Sequence, residues 1–322
     1  MRSCLLGRKA ALVIVALGVA GALGGVVRAQ PGAGGPCTPS TTLTCEQLVA
    51  LGYDYPYARE PRSYLFVNGA AYPYIELGGG QLARTSVQVG RKVVVAADLL
   101  SALGHADQIA RRRTPVIGYG SNATVSALTR KYVTPSVIEP AVIPVTRAVL
   151  RDYDVVWSPH LVSNGAMPAT IVPSRGTSVE VWINWLDDAQ LRHMHDTEAV
   201  GSFYSYGTLS GVKLDSEVPL SGPPRVYVDC YGALALRGVF QAIRTVPARG
   251  RRFPAVDSEQ AMRRVARHMG WTDSVFDLLL DNVRSPLERA GRTQALTSLG
   301  RFPDDPHYRA DCPCGAGSCP VP

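Results

Sequence analysis

Val179-Glu-Val-Trp-Ile-Asn-Trp-Leu-Asp-Asp-Ala-Gln-Leu-Arg-His-Met-His-Asp-Thr-Glu198 changes its periodicity halfway along. Val179 to Trp185 is β-branched and aromatic, suits a pleated surface, and predicts a strand. Asp187, with Gln190 three residues later, is a capping-box pattern that predicts a helix to about Thr197. On that helical spacing Leu191, Met194 and Glu198 share one face, with Trp182 and Trp185 just upstream. An acid there loses hydration and meets the negative end of the helix, so its protonated form is favoured. Glu198 is therefore a candidate general base. The alternative is a frayed helix end that leaves it in water.

Upstream, Pro115-Val-Ile-Gly-Tyr119 reads as a short apolar strand running into Gly120-Ser121-Asn122, then a helix-like stretch to Lys131. Gly120 permits a tight turn, and the backbone N–H groups at a new helix start lack internal partners. Such a turn can hold a carboxylate or an oxyanion. Between the two candidates, Ala141–Val149, Asp154–Trp157 and Ala169–Val172 read as strands and Ser174–Thr177 as a turn. Phe203–Tyr206 and Val226–Tyr231 read as further strands. Before this region, residues 46–112 hold short pieces. These are a strand Ser63–Val67 ending at the hairpin signal Asn68-Gly69, a strand Arg91–Val95, and a helix Ala96–Leu103 stopped by Gly104. After it, helices are predicted over Ser258–Met269, Ser274–Val283 and Leu287–Leu299.

These residues, taken together, resemble the gamma-glutamylcyclotransferase-like family. The resemblance rests on Tyr119-Gly-Ser-Asn122, the strand Met167–Ser174, the strand Val179–Trp185 and the helix Leu191–Glu198, in that order. It covers about 114–232. Departures are His195 where the family usually has Asp, Met167-Pro168 in place of Gly, and Ile183-Asn184 after Trp182. The resemblance implies a mixed α/β (α+β) fold, with a small barrel-like mixed β-sheet and flanking helices. It implies Glu198 as catalytic acid/base and Tyr119, Gly120, Ser121 and Asn122 as the substrate-cradling turn, with Tyr204 or Tyr206 as a pocket tyrosine. The implied reaction cyclises a γ-glutamyl amide or peptide to 5-oxoproline and needs no metal or organic cofactor. The implied partner is a small-molecule γ-glutamyl substrate.

Four segments follow: 1–29 as a signal peptide, 30–113 as an N-terminal extension, 114–246 as the family-like domain, and 247–322 as a helical extension with a Cys-rich tail. Residues 1–29 carry Arg2, Arg8 and Lys9, the apolar run Ala10–Val27, and small residues at Val27 and Ala29. That is the layout of a secretory signal, so the expected location is secreted or periplasmic. Alternatives are retention of 10–27 as a membrane anchor, since eighteen apolar residues approach a spanning length, and a start codon assigned too far upstream. The 322-residue chain has a formal charge of +7. Loss of Arg2, Arg8, Lys9 and Arg28, with no acid in 1–29, lowers it to +3, which argues against a nucleic-acid partner. The clusters Arg111–Arg113 and 249–252 read as solvated linkers. Apolar residues make up 46% and charged residues 18%, which excludes wholesale disorder.

Seven cysteines become six once Cys4 is removed: Cys37, Cys45, Cys230, Cys312, Cys314 and Cys319. An even number in an exported chain predicts disulfides whose connectivity stays open, with Cys37–Cys45 one candidate pair. The tail cysteines with His307 are a weaker metal-knuckle candidate, lacking a second Cys-x-x-Cys.

Two other function classes compete. A serine hydrolase would use Ser121 with His160, His193 or His195 as base, although the Gly-x-Ser-x-Gly elbow is broken at Tyr119 and Ala123. A non-catalytic exported binding protein would keep the pocket without turnover. Export is checked by N-terminal sequencing of the protein from its native host. The expected first residue is Gln30, and a mature chain beginning at Met1 refutes it.

Overall fold

The computed structural model describes residues 43–134 and 138–316. The expected signal segment, Cys4, Cys37 and Cys319 lie outside the described residues. In chain order, the first part holds helix α1 (Cys45–Asp54), strands β1 (Tyr64–Val67), β2 (Ala70–Glu76), β3 (Ser86–Val89) and β4 (Lys92–Val95), and helix α2 (Ala96–Ala102). The middle holds β5 (Thr114–Gly118), α3 (Val125–Leu128), β6 (Val142–Trp157), β7 (Ala169–Leu186), α4 (Asp188–Thr197), β8 (Tyr204–Leu209), β9 (Leu214–Ser216) and β10 (Arg225–Asp229). Short strands between 233 and 256 follow, then α5 (Ser258–His268), α6 (Val275–Arg284), α7 (Pro286–Leu296) and a C-terminal strand Tyr308–Cys312. The class is mixed α+β, as expected.

The backbone order of the main sheet is the C-terminal strand, β8, β10, β5, β7, β6, β1, β2, β3, β4. β10 runs parallel to β5, and the other neighbours are antiparallel. Among the described residues this pairing path is open rather than a closed barrel. It is also larger than expected, because β1 to β4 and the C-terminal strand extend the sheet of the middle region at both sides. Asn68 (φ 47°) and Gly69 (φ 92°) make the two-residue turn between β1 and β2, a left-handed pair that the Asn-Gly sequence suits.

The four strands predicted between 141 and 185 are two long ones. β6 and β7 pair from Val145↔Asn184 to Trp157↔Ala169 with one interruption between Arg151 and Tyr153. There Asp152 (φ 62°) faces residues 174–177, and the Gly176 N–H donates to Asp152 Oδ1 at 2.7 Å. The predicted turn at Ser174–Thr177 is thus an irregular bulge inside β7, four residues set opposite Asp152, with the Ser174 and Thr177 hydroxyls 2.8 Å apart.

Side chains alternate across this sheet. Val181 and Ile183 join a core formed with Leu48, Met262, Leu278 and Leu279 of α1, α5 and α6. Trp182, between them, packs on the opposite side with Leu128 of α3 and Leu191 and Met194 of α4. Full burial of each such side chain stabilises by about 1.5–3 kcal/mol. The basic clusters are not wholly solvated linkers. Arg113 donates to the carbonyls of Val142, Trp185 and Gln108. Arg251 makes a forked pair with the buried Asp154, its Nε donating at 3.0 and 3.1 Å.

Cys230 and Cys314 are joined in a disulfide across 84 residues of sequence, which ties the C-terminal segment to the residue after β10. Cys45 and Cys312 each take part in a disulfide as well. Cys314 is thereby taken out of the metal-knuckle reading, and His307 Nδ1 lies 2.9 Å from the Ser210 carbonyl. Closing a loop of this size constrains the unfolded chain strongly. The Cys230→Ser/Cys314→Ser variant is expected to lose about 3–5 kcal/mol of unfolding free energy in urea titrations.

Candidate active site

β5 lies beside β7 with Gly118 opposite Trp182. Past Gly118 the chain turns through Tyr119 and Gly120 into a tight helical turn at Ser121–Ala123, and then into α3. Gly120 is required by a close approach: a Cβ there would lie 2.7 Å from the Tyr55 hydroxyl. The turn is held from several sides. Asn184 Nδ2 donates to the Asn122 carbonyl at 3.0 Å, and Arg59 Nη2 donates to the Tyr119 carbonyl at 2.5 Å. Tyr119 Oη donates to the Tyr227 carbonyl at 2.8 Å. Burial drives the Arg59 guanidinium down to about 10, still charged at neutral pH.

α4 begins as predicted, with reciprocal Asp187–Gln190 bonds of 2.9 and 3.1 Å. It ends at Thr197, and Glu198 occupies the cap position with its N–H donating to the Met194 carbonyl at 2.9 Å. The Glu198 carboxylate therefore leaves the helix end toward the β5 turn. Its Oε1 accepts from Asn122 Nδ2 at 2.9 Å and from Lys131 Nζ. Lys131 Nζ also donates to Thr197 Oγ1 at 2.9 Å. The Glu198 and Lys131 side chains are 12% and 16% exposed. Glu198 is indeed mostly desolvated, but it is not the lone acid that the helix pattern implied.

Tyr119, Gly120, Ser121, Asn122, Glu198 and Tyr204 all line one cavity of about 520 Å³. Tyr204 Oη donates to the Ala169 carbonyl at 3.0 Å. Burial raises the hydroxyls of Tyr55, Tyr119 and Tyr204 above the usual phenol range, so they serve as neutral hydrogen-bonding groups. Tyr206 is corrected: it lies outside this lining, with its ring 4.4 Å from His195 and 5.2 Å from Tyr227 in the packed core. His195, where the family usually has Asp, is also core. Its Nδ1 lies 2.9 Å from Tyr227 Oη, and desolvation lowers its affinity for a proton.

The hydrolase constellation does not assemble. His160 Nδ1 lies 3.0 Å from Ser158 Oγ and His193 Nε2 lies 2.6 Å from the Lys131 carbonyl, while His195 is held by Tyr227. None of the three is hydrogen-bonded to Ser121. Among the described residues no His, Cys, Asp and Glu cluster could hold a metal ion.

Sequence reasoning missed four contributors. Lys131 and Arg130 reach the cavity from a wide helical turn at Thr129–Val133 that follows α3. Their place just after the cradle turn was the available signal. Tyr55 and Tyr57 come from the N-terminal extension, outside the segment 114–246 that carries the other candidates. Tyr57 adopts φ 75°, its hydroxyl accepts from Asn164 Nδ2 at 3.0 Å, and the Arg130 guanidinium sits 4.5 Å over its ring.

No family model matches the sequence, and no curated protein matches it. Among solved structures, the chain is similar to a gamma-glutamyl cyclotransferase at 16% identity, covering 60% of this chain and 90% of that one, with a TM-score of 0.30. It is also similar to an uncharacterized protein from Homo sapiens at 17% identity, with the same coverage and a TM-score of 0.29.

The site's electrostatics are checked by a mutant cycle. Lys131→Met leaves a mostly buried carboxylate short of a cation and is expected to cost about 1–3 kcal/mol in urea unfolding. Adding Glu198→Gln to Lys131→Met should recover part of that loss. Strict additivity of the two single changes would contradict the pairing.

Proposed function

We propose that this protein cyclises a γ-glutamyl amide to 5-oxoproline and releases the amine. The observation that carries the reading is the meeting of Glu198 with the Tyr119–Asn122 turn on one cavity wall, joined by the Asn122–Glu198 hydrogen bond. Lactam formation needs a proton acceptor and oriented donors around one small substrate.

In this reading the substrate's α-ammonium displaces Lys131 at the Glu198 carboxylate and gives up a proton to it. The free amine attacks its own γ-carbonyl, forming the ring C–N bond, and the bond to the departing nitrogen breaks. The turn and the Asn122 side chain hold the substrate carboxylate or the developing oxyanion. Glu198 returns its proton to the amine that leaves, and the second proton that the ring nitrogen sheds on becoming the lactam goes to the same amine. The protein's gain comes from folding the substrate onto itself, since well-oriented intramolecular attack reaches effective molarities of about 10⁵ M or more. Nothing in these steps calls for a metal or an organic cofactor.

One observation favours the second reading, a binding protein without turnover. Glu198 is already paired with Lys131, so taking up a proton there means giving up an ion pair. The two readings separate on Glu198→Gln. The amide keeps the shape but cannot accept the ammonium proton, so 5-oxoproline release should fall by about 10²–10⁴-fold with the fold intact. Unchanged release by Glu198→Gln removes Glu198 from the mechanism. Binding of γ-glutamyl amides by the wild type with no product supports the binding protein.

A further inference from the structure

Cyclisation moves two protons from the attacking nitrogen to the departing one: an α-ammonium has three hydrogens and a lactam nitrogen one. A single carboxylate carries one proton at a time. We propose that His160, set by Asp229 and Ser158, carries the second; this assignment rests on the cyclisation reading above.

His160 lies just past the end of β6, is fully buried from bulk solvent, and lines the same cavity as Glu198. Its ring is fixed between aromatic neighbours, stacked on Phe203 at 5.2 Å and 18° and tilted against Tyr231 at 4.9 Å. Nδ1 is engaged on the protein side, 3.0 Å from Ser158 Oγ and 3.0 Å from Asp229 Oδ2. The Asp229 contact is not aligned as a hydrogen bond, since Oδ2 has no such partner among the described residues. It acts through charge, while Ser158 Oγ takes the directed position. A carboxylate so near disfavours a lone pair on Nδ1 and therefore places the proton there. Asp229 is itself held, with Oδ1 accepting from the Tyr231 N–H at 2.7 Å and its own N–H donating to Thr170 Oγ1 at 3.2 Å.

That leaves Nε2 as a bare acceptor. It is buried and has no hydrogen-bond partner, an arrangement that costs about 1–3 kcal/mol unless something in the cavity supplies a donor. A γ-glutamyl amide carries such donors on both of its nitrogens. In the proposed sequence Glu198 takes the first proton from the α-ammonium. As the ring C–N bond forms, His160 Nε2 takes the second, and Asp229 offsets the charge gained by the imidazole. His160 then delivers that proton to the departing nitrogen as its bond to carbon breaks, and returns to neutral. Glu198 hands its proton to the released amine.

The test compares two leaving groups. A γ-glutamyl alkylamide departs only if its nitrogen is protonated, whereas γ-glutamyl-p-nitroanilide expels a far weaker base. His160→Gln is expected to lower kcat for the alkylamide by about 10²-fold or more, with the anilide reduced less than tenfold and KM for both little changed. Asp229→Asn, altering a positioning residue, should show the same split at smaller amplitude. Equal losses for both substrates mean a structural role and overturn the proposal, as does an unchanged alkylamide rate. If the variants do not fold, ¹⁵N NMR of the histidine-labelled wild type decides. An Nδ1–H ring with unprotonated Nε2 supports the assignment, and an Nε2–H ring overturns it. A wild type that turns over neither substrate yet shows unprotonated Nε2 sinks the cyclisation reading while upholding the acceptor at the cavity wall.

Discussion

A glutamate side chain with only 12% of its surface exposed must find partners inside the protein. For Glu198 those partners are Asn122 and Lys131, one 76 and the other 67 residues away in sequence. Their meeting depends on the register of β5 against β7. With Gly118 opposite Trp182 and Thr114 opposite Leu186, the turn after β5 lies four residues back along β7 from the end that feeds α4. α4 then needs its length of ten residues, from a firm cap at Asp187, to bring Glu198 back over that turn. A shift of one residue in this pairing would exchange the faces of Val181, Trp182 and Ile183. The site and the two-sided core are thus fixed by the same register.

The surrounding shell is built from segments far outside this unit. Arg59 and Tyr55, from the N-terminal part of the chain, hold the Tyr119 carbonyl and crowd Gly120. Tyr55 Oη also accepts the Ala169 N–H at 2.9 Å, so one phenol links the start of β7 to the cradle turn. At the other end, the Cys230–Cys314 disulfide anchors the C-terminal segment next to Asp229 and Tyr231. The Gly315 N–H donates to the Gly201 carbonyl at 2.7 Å, which steadies the loop after Glu198. The extensions thereby form part of the cavity's support.

Local signals in the sequence were legible where local physics decides the outcome. The Asp187–Gln190 cap, the Asn68-Gly69 hairpin and the stop at Gly104 each follow from residues within a few positions of one another. The Glu198 and Tyr119–Asn122 candidates were legible as well, because a strand–turn–helix and an acid on an apolar helix face are local patterns. What could not be read was long-range satisfaction. Lys131 looks like any basic residue at a helix end until Glu198 is beside it. Tyr206 and Tyr204 share a strand face, and only packing with His195 and Tyr227 removes Tyr206 from the cavity. Ser174–Thr177 has turn composition, yet it meets Asp152 and Gly250 across the strands, so the chain bulges there and resumes the same strand.

The identity of the product tests cyclisation at Glu198 most directly. Disulfide-intact wild-type protein is incubated with a panel of γ-glutamyl amides, and 5-oxoproline, glutamate and free amine are quantified by mass spectrometry. Intramolecular attack predicts 5-oxoproline and amine in equal amounts, with no glutamate. Glutamate in place of 5-oxoproline would mean attack by water and would contradict cyclisation at Glu198, as would the absence of any product.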